Sequence, residues 1–377
     1  MKIAFVYDVI YPYVKGGVEK RVWELAVRLA RRGHDVHIFG MKYWEGKDTL
    51  VRDGVILHGV CPAQNLYAHG HRTIAEAVYF GTALLPHLAQ YTFDIIDCQQ
   101  FPYVPCLTAK CVATLKKTPL VLTWHEVWGD YWYTYLGGAG FFGKNIEHLV
   151  SRLTPHIVAV SATTADNLIS LGCHGKITVI PNGVDLQLIR VICPAHEIPD
   201  IIFVGRLIKE KHVDLLIRAF GVLSSTQPDL KLLIIGEGPQ QPEIANLICE
   251  LLLEDWVQFR GFQKEHDEII ALMKSAKVCV IPSTREGFGI TALEALACGI
   301  PVVTVDHPAN AIRNLITEKN GFLCSLSAED LSDKILLALQ YYTGMKSACI
   351  ATAEAFDWDR ITSDIEAYYQ SVIDSQT

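Results

Sequence analysis

No apolar run in this 377-residue chain approaches the roughly 18 residues that a membrane-crossing helix requires. No C-x-x-C pair occurs among its 11 cysteines, and an odd count argues against a disulfide framework. The thiols read instead as small buried hydrophobes. The opening "MKIAFVYDVIYPYVKGG" lacks a small-residue cleavage site and is broken by Asp8, so it reads as a buried first strand, not an export signal. A cytoplasmic location is expected, with room for a peripheral place at the inner face of a membrane. Basic excess is missing too. With 33 basic against 41 acidic residues the net charge is −8, which removes nucleic acid from the expected partners. Neither G-x-G-x-x-G nor the P-loop pattern is present, and "IGEGPQQ" at 235–241 comes nearest without a third glycine. Hydride transfer and nucleotide hydrolysis lose their best support.

What is present is half hydrophobic and regularly punctuated, enough for two domains of roughly 150–200 residues each. Short apolar runs alternate with helical periodicity. "KIAFVYD" is followed by Val18, Val22, Leu25, Ala26 and Leu29 on one helical face, stopped by Gly33. "DVHIFG", "GVILHGV", "FDIIDC", "PLVLTW" and "HIVAVS" then follow as strands with helices between some of them. Such alternation predicts parallel sheet covered by helices on both faces. The pattern lapses around 181–200, a stretch rich in Pro, Asn and Asp, and restarts with "IIFVG", "LKLLIIG", "VQFRG", "VCVIP" and "PVVTV". The fold class expected is α/β with two doubly wound Rossmann-like domains facing across a cleft. They would span 1–185 and 200–355, with a linker at 186–199 and a C-terminal helix at 356–377 returning to the first domain.

Glycines follow the first strand of each half. Gly16 and Gly17 precede a helix in the first, and Gly205 is followed by Arg206 and Lys211 in the second. Helix N-termini, glycines and two cations together suit a diphosphate, although a tight turn beside solvated side chains is the plain alternative. In "PSTREGFGITALEALACGIPVV" the carboxylates of Glu286 and Glu294 flank the turn Gly287, Phe288, Gly289 and Ile290. Carboxylates accept from vicinal hydroxyls, and backbone N–H groups suit a phosphate. An exposed helical Glu294 and a capping Glu286 are the alternative. His125 directly follows "VLTW", at a strand's carboxyl end, where it could hydrogen-bond or exchange a proton. The aromatics after it, among them Trp128, Trp132, Tyr133, Phe141 and Phe142, suit either a core or a surface for sugar rings or lipid tails. "DWD" at 357–359 opens a helix far from any glycine loop, and "HGH" at 69–71 has no third ligand at zinc spacing, so neither is expected to hold a metal.

Taken in order, these segments resemble the retaining, GT-B-type glycosyltransferases of the group 1 (family 4) class. "KGGVEKRVWELAVRLARRGHDVHI", "TWHEVWGDYW", "VIPNGVD", "FVGRLIKEKHVDLLIRAF" and the E-x7-E of Glu286 and Glu294 carry the resemblance over nearly the whole chain. It implies a nucleotide-sugar donor, UDP- or GDP-linked, and a glycan, lipid-linked or small-molecule acceptor, with no cofactor and no metal. By position, Arg206 and Lys211 would hold the diphosphate and Glu294 the ribose. Glu286 would face the sugar, with Gly205 and Gly287 to Ile290 giving backbone contacts. Gly16 and Gly17 would close on the donor, and His125 would lie near the transferred sugar. One departure stands out: Asn310 and Asn314 occupy a region where the family often has a Gly-Gly run, which bears on the sugar. An epimerase of the same fold and a non-catalytic nucleotide-sugar binder are the alternatives; all the motif residues a decayed site would lose are present.

Overall fold

A computed structural model describes residues 1–68, 71–263 and 265–376. His69 and Gly70 of the "HGH" segment lie outside the described residues. The chain divides into two compact units, Met1–Asn182 with Trp358–Thr377, and Gly183–Asp357.

Unit 1 is built on an eight-stranded sheet in the order β10-β9-β8-β7-β1-β2-β4-β3. Its strands are β1 (Lys2–Val6), β2 (Asp35–Lys42), β3 (Thr49–Arg52), β4 (Val55–Pro62), β7 (Ile95–Gln99), β8 (Leu120–Trp124), β9 (His156–Ala159) and β10 (Lys176–Val179). Between them in sequence, β5 (Tyr67–Ala68) and β6 (His71–Arg72) make a separate two-stranded ribbon. All neighbours in the large sheet run parallel except β3, which is antiparallel to β4. Every residue of β7 and β8 is buried. That explains their unbroken apolar runs, since helices cover both faces of a parallel sheet. Strand order reverses between β7 and β1, and ligands of open α/β sheets bind at such a reversal, beyond the carboxyl ends.

The Trp358–Asp374 helix belongs to unit 1. It buries Trp358, Ile361, Ile365 and Tyr369 in one cluster with Ile3, Phe5, Val22 and Leu25. Each such burial is worth about 1.5–3 kcal/mol. Charged pairs fix its outer face, Arg28 Nε to Asp359 Oδ1 at 3.0 Å and Arg32 to Glu366 at 2.7 Å.

Unit 2 has a six-stranded, wholly parallel sheet in the order β13-β12-β11-β14-β15-β16. The strands are β11 (Ile201–Val204), β12 (Leu232–Ile235), β13 (Val257–Arg260), β14 (Val278–Ile281), β15 (Val302–Val305) and β16 (Gly321–Cys324). Order reverses between β11 and β14. A 27-residue helix, Ala328–Glu354, closes the unit, capped by Ser327 accepting from Asp330 N.

The expected linker at 186–199 needs correction. Asp185 caps a helix at Leu186–Val191, and the segment after it is tied into unit 2. Lys274 Nζ donates to Ile192 O at 2.6 Å, and Ala195 N donates to Ala271 O at 3.0 Å. One helical turn is too short to show a period, so proline and aspartate dominated the reading.

Candidate active site

In unit 2 the loops after β11 and β14, the strands that flank the order reversal, carry Gly205 with Arg206 and the segment 282–290. Gly205 N donates to Ile235 O at 3.0 Å, which brings its loop hard against the end of β12. A Cβ on Gly236 would lie 1.9 Å from Gly205 O, so only glycine fits there. Arg206 is exposed, and a 3-10 turn at Lys209–Lys211 brings Lys211 beside the second loop. Thr284 N donates to Glu210 O at 3.0 Å and joins the two loops. Lys211 Nζ forms an ion pair with Glu286 Oε1, which also accepts from Ser283 Oγ at 3.0 Å. Glu286 is placed by backbone: its N–H donates to Ala309 O and its carbonyl accepts from Ala311 N. Asn310 between them is fully buried and donates to Thr304 Oγ1 and Val305 O. The asparagine that stands where a Gly-Gly run was expected thus anchors the strip that holds Glu286.

The Ile290–Ala297 helix begins on Gly289, whose φ of +92° favours glycine and whose Cβ would meet Ile312 Cγ1 at 2.2 Å. Its first turn holds no acidic residue. Helix geometry leaves first-turn N–H groups without intrahelical partners and adds a positive dipole end. Glu294 is not the exposed helical residue of the plain alternative. It is 5% exposed, with Oε1 at 3.1 Å from His266 Nε2. Lys211, Glu286 and the 287–290 turn are therefore gathered at the reversal, while Glu294 lies one turn further into the helix.

Unit 1 is organised differently. Gly16 and Gly17 are exposed at the head of the Gly17–Arg31 helix, and Gly16 has an ordinary extended backbone. Glu19 already sits in the first turn, its carboxylate against Gly16. His125, just beyond β8, is held by two glutamines at the end of β7. Its N–H donates to Gln100 Oε1 at 3.0 Å, and its Nε2 lies 2.8 Å from Gln99 Oε1. Gln99 Nε2 donates to Asp97 Oδ1 at 3.1 Å. Asp97 also accepts from Thr123 Oγ1 at 2.8 Å and from Tyr369 Oη of the C-terminal helix. The Arg21 guanidinium is buried nearby, donating to Asn182 Oδ1 at 3.0 Å and to Pro181 O.

Burial raises the Asp97 carboxyl, opposed by its three donors and by Arg21. Burial brings Arg21 down to about 10, which leaves it charged. His125 is pushed down to about 3, first by burial and then by Arg21. Of the two roles expected of His125, this depression favours the hydrogen-bonding one, with a neutral ring near neutral pH.

The aromatics after His125 divide between both readings. Trp124 and Trp132 are buried, with the Trp128 ring centred 4.5 Å from that of Trp132 and tilted 40° to it. Buried Glu147 accepts from Trp128 N at 2.8 Å, Gly129 N at 2.7 Å and Tyr103 Oη at 2.9 Å. Tyr133, Phe141 and Phe142 face outward. Sequence reasoning missed Ser283, His266, Asp97, Gln99, Gln100 and Arg21. The one legible signal was "QQ" at the carboxyl end of an apolar strand. Asp359 of "DWD" pairs with Arg28, and no group of three metal-type ligands occurs among the described residues.

Known proteins match both halves. The model for Glycosyl transferases group 1 matches residues 191–355, and that for Glycosyltransferase Family 4 matches residues 15–188. Glycogen synthase from Mycobacterium tuberculosis is 28% identical over 325 residues, 81% of this chain and 78% of the relative. Alpha-monoglucosyldiacylglycerol synthase from Streptococcus pneumoniae is 26% identical over 90% of this chain and 78% of its own length. Among solved structures, sucrose-phosphate synthase from Thermosynechococcus elongatus has a TM-score of 0.82 at 21% identity, covering 99% of each chain. HepE from Anabaena, in complex with UDP-glucose, has a TM-score of 0.76 at 19% identity, covering 98% of this chain and 100% of its own. The shared fold is GT-B, two Rossmann-like α/β domains.

Proposed function

We propose that this chain, which belongs to the group 1 glycosyltransferases, moves a sugar from a UDP- or GDP-linked donor to a hydroxyl acceptor with retention of configuration. The observation that carries this reading is the Lys211–Glu286 pair beside the 287–290 turn and the acid-free first turn of the Ile290–Ala297 helix, where unit 2 reverses strand order. Breaking a sugar–phosphate bond builds negative charge on the diphosphate and positive charge on the ring. Arg206, Lys211 and the helix dipole stabilise the first, and Glu286 the second. Gly205 leaves backbone room for the phosphates, and Glu294 takes the ribose hydroxyls. Two cations supply the charge a metal would otherwise bring, so the proposed reaction needs no cofactor. A donor phosphate oxygen serves as base for attack on the face that the leaving group vacates. Within unit 1, His125 offers a neutral hydrogen bond to a hydroxyl, and the exposed Gly16–Gly17 turn offers backbone N–H groups.

A lipid-linked acceptor is supported by the aromatics after His125 that face outward, Tyr133, Phe141 and Phe142. The pneumococcal relative, an alpha-monoglucosyldiacylglycerol synthase, points the same way. The proposed location is the cytoplasmic side of a membrane, held peripherally; among the described residues no helix is long and apolar enough to cross one. Replacing Phe141 and Phe142 by serine is expected to weaken liposome sedimentation at least about threefold, and unchanged sedimentation would remove this acceptor.

The test of the activity is nucleotide release. Incubation with a panel of nucleotide-sugars and acceptors is expected to liberate UDP or GDP, with Lys211→Ala abolishing release. Binding of a nucleotide-sugar without release under any acceptor would leave a binding protein in its place.

A further inference from the structure

The side chain of a lone histidine can present either ring nitrogen as its lone pair, and the choice decides what it can recognise. In unit 1 that choice is settled by a chain of three hydrogen bonds that runs from Tyr369 through Asp97 and Gln99 to the ring. Asp97 is 2% exposed and has only acceptors to offer when ionised. Its Oδ1 faces the Gln99 side chain at 3.1 Å, so the amide NH2 of Gln99 must point toward it. The Gln99 carbonyl oxygen is thereby turned outward, 2.8 Å from His125 Nε2. A carbonyl only accepts, so Nε2 must carry the proton and Nδ1 the lone pair. Thr123 Oγ1, at 2.8 and 3.0 Å from the two Asp97 oxygens, and Tyr369 Oη complete the carboxylate's shell. Gln99, Thr123 and Tyr369 are 3%, 1% and 0% exposed, so water does not compete for these bonds.

We propose that Gln99 is a positioning residue for the transfer reaction, oriented by Asp97, which locks His125 in its Nε2–H tautomer and leaves Nδ1 as an acceptor for a donor or acceptor hydroxyl. The use of that lone pair rests on the glycosyltransferase reading, whereas the locking of the tautomer does not. The charged and titratable groups around the ring are Arg21 on the Gly17–Arg31 helix, Asp97 on β7, Glu126 beside it in sequence and Tyr369 on the C-terminal helix. The lock also ties the C-terminal helix to the histidine. Tyr369 lies 272 residues from Asp97 in sequence, and its hydroxyl donates to Asp97 Oδ2, which leaves Oδ1 to accept from Thr123 and from the Gln99 amide.

The test reads the tautomer directly. Long-range nitrogen–proton NMR on histidine-labelled full chain is expected to show His125 as a single Nε2–H tautomer from pH 5 to 8. Gln99→Met keeps the length and removes the acceptor, and is expected to convert that signal to a mixture with Nδ1–H. Gln99→Asn is expected to retain the amide dipole and a majority of the original tautomer. A wild-type signal from Nδ1–H overturns the proposal, and this holds even if Gln99→Met fails to fold. So does an unmixed Nε2–H signal in a folded Gln99→Met.

Turnover gives the second readout. Gln99→Met is expected to lower kcat about tenfold with little change in donor KM, and to cost nothing further in a His125→Ala background. A further loss in that background would assign Gln99 a purely structural role. If no donor is turned over, the NMR result still decides the tautomer, and the failure belongs to the proposed activity alone.

Discussion

At the strand reversal of unit 2 the polar groups are charged, sit on loops and pair with one another across turns. At the reversal of unit 1 they are amides, hydroxyls and one carboxylate at strand ends, buried and bonded in sequence from a distant helix to a single imidazole. Lys211 and Glu286 keep 19% and 15% of their side-chain surface, whereas Asp97 and Gln99 keep almost none. The two helices headed by glycine differ in the same sense. The unit 1 helix already holds Glu19 in its first turn, and the unit 2 helix holds no acid there. Loop charges can exchange partners for a ligand at small desolvation cost, while a buried network cannot rearrange without stranding a polar group. One unit is therefore suited to grip and release an anion, and the other to present one fixed hydrogen bond.

The widest separation between the two sites should come from charge. Lys211→Ala is expected to lower nucleotide release at least about 100-fold, the scale of removing one preorganised stabilising group. Glu286 would then face the sugar without its cation, so Lys211→Arg should recover only part of the rate. An alanine variant with near-normal release would end the idea that unit 2 acts through this pair.

Backbone demands should separate the two glycine-headed helices next. Gly289→Ala forces a side chain into φ +92° and onto Ile312, and is expected to cost about 2–3 kcal/mol in urea unfolding. Gly16→Ala meets only the movable end of Glu19 at 2.7 Å, in an extended backbone, and should cost under about 1 kcal/mol. Equal losses would mean that the two turns are under the same constraint.

Tyr369→Phe probes the buried side alone. Removing one donor to a buried carboxylate should destabilise unit 1 by about 1.5 kcal/mol, with the tautomer of His125 retained because Thr123 and Gln99 still face Asp97.

Much of this was legible from the chain and some was not, for identifiable reasons. Strand–helix alternation announced both sheets because residues buried on two faces must be apolar in unbroken runs, as in "IIDCQ" and "LVLTW". The E-x7-E turn was legible because Gly289 answers a local backbone need. The Leu186–Val191 helix was hidden because its single turn is set by the Asp185 cap and its packing. β3 and β16 were hidden by their mixed burial patterns. The His125 network was out of reach for a different cause: its members are spread from Arg21 to Tyr369, and sequence periodicity reports one face of one element at a time. Glu294 shows the same limit, since its partner His266 lies on another helix.

The smallest effect expected is the change in stability between pH 7 and pH 6, and it isolates the imidazole. The folded chain holds His125 down at about 3, while an unfolded histidine titrates near 6.5. Between these values the unfolded state binds the extra proton, so stability attributable to His125 is fully present above pH 6.5 and is lost as pH falls toward 3. From pH 7 to pH 6 the loss is at most about 0.7 kcal/mol, steepening to about 1.4 kcal/mol per pH unit below that. His58, also lowered by burial to about 4, contributes a slope of the same sign, so the total curve does not identify the residue. The difference between wild type and His125→Gln does. It should be flat above pH 7 and decline below it, since the variant lacks the group that must lose a proton to fold. A flat difference down to pH 5 would show an imidazole that titrates normally in the folded chain, and the contrast between a charged unit 2 and a neutral unit 1 would lose its central residue.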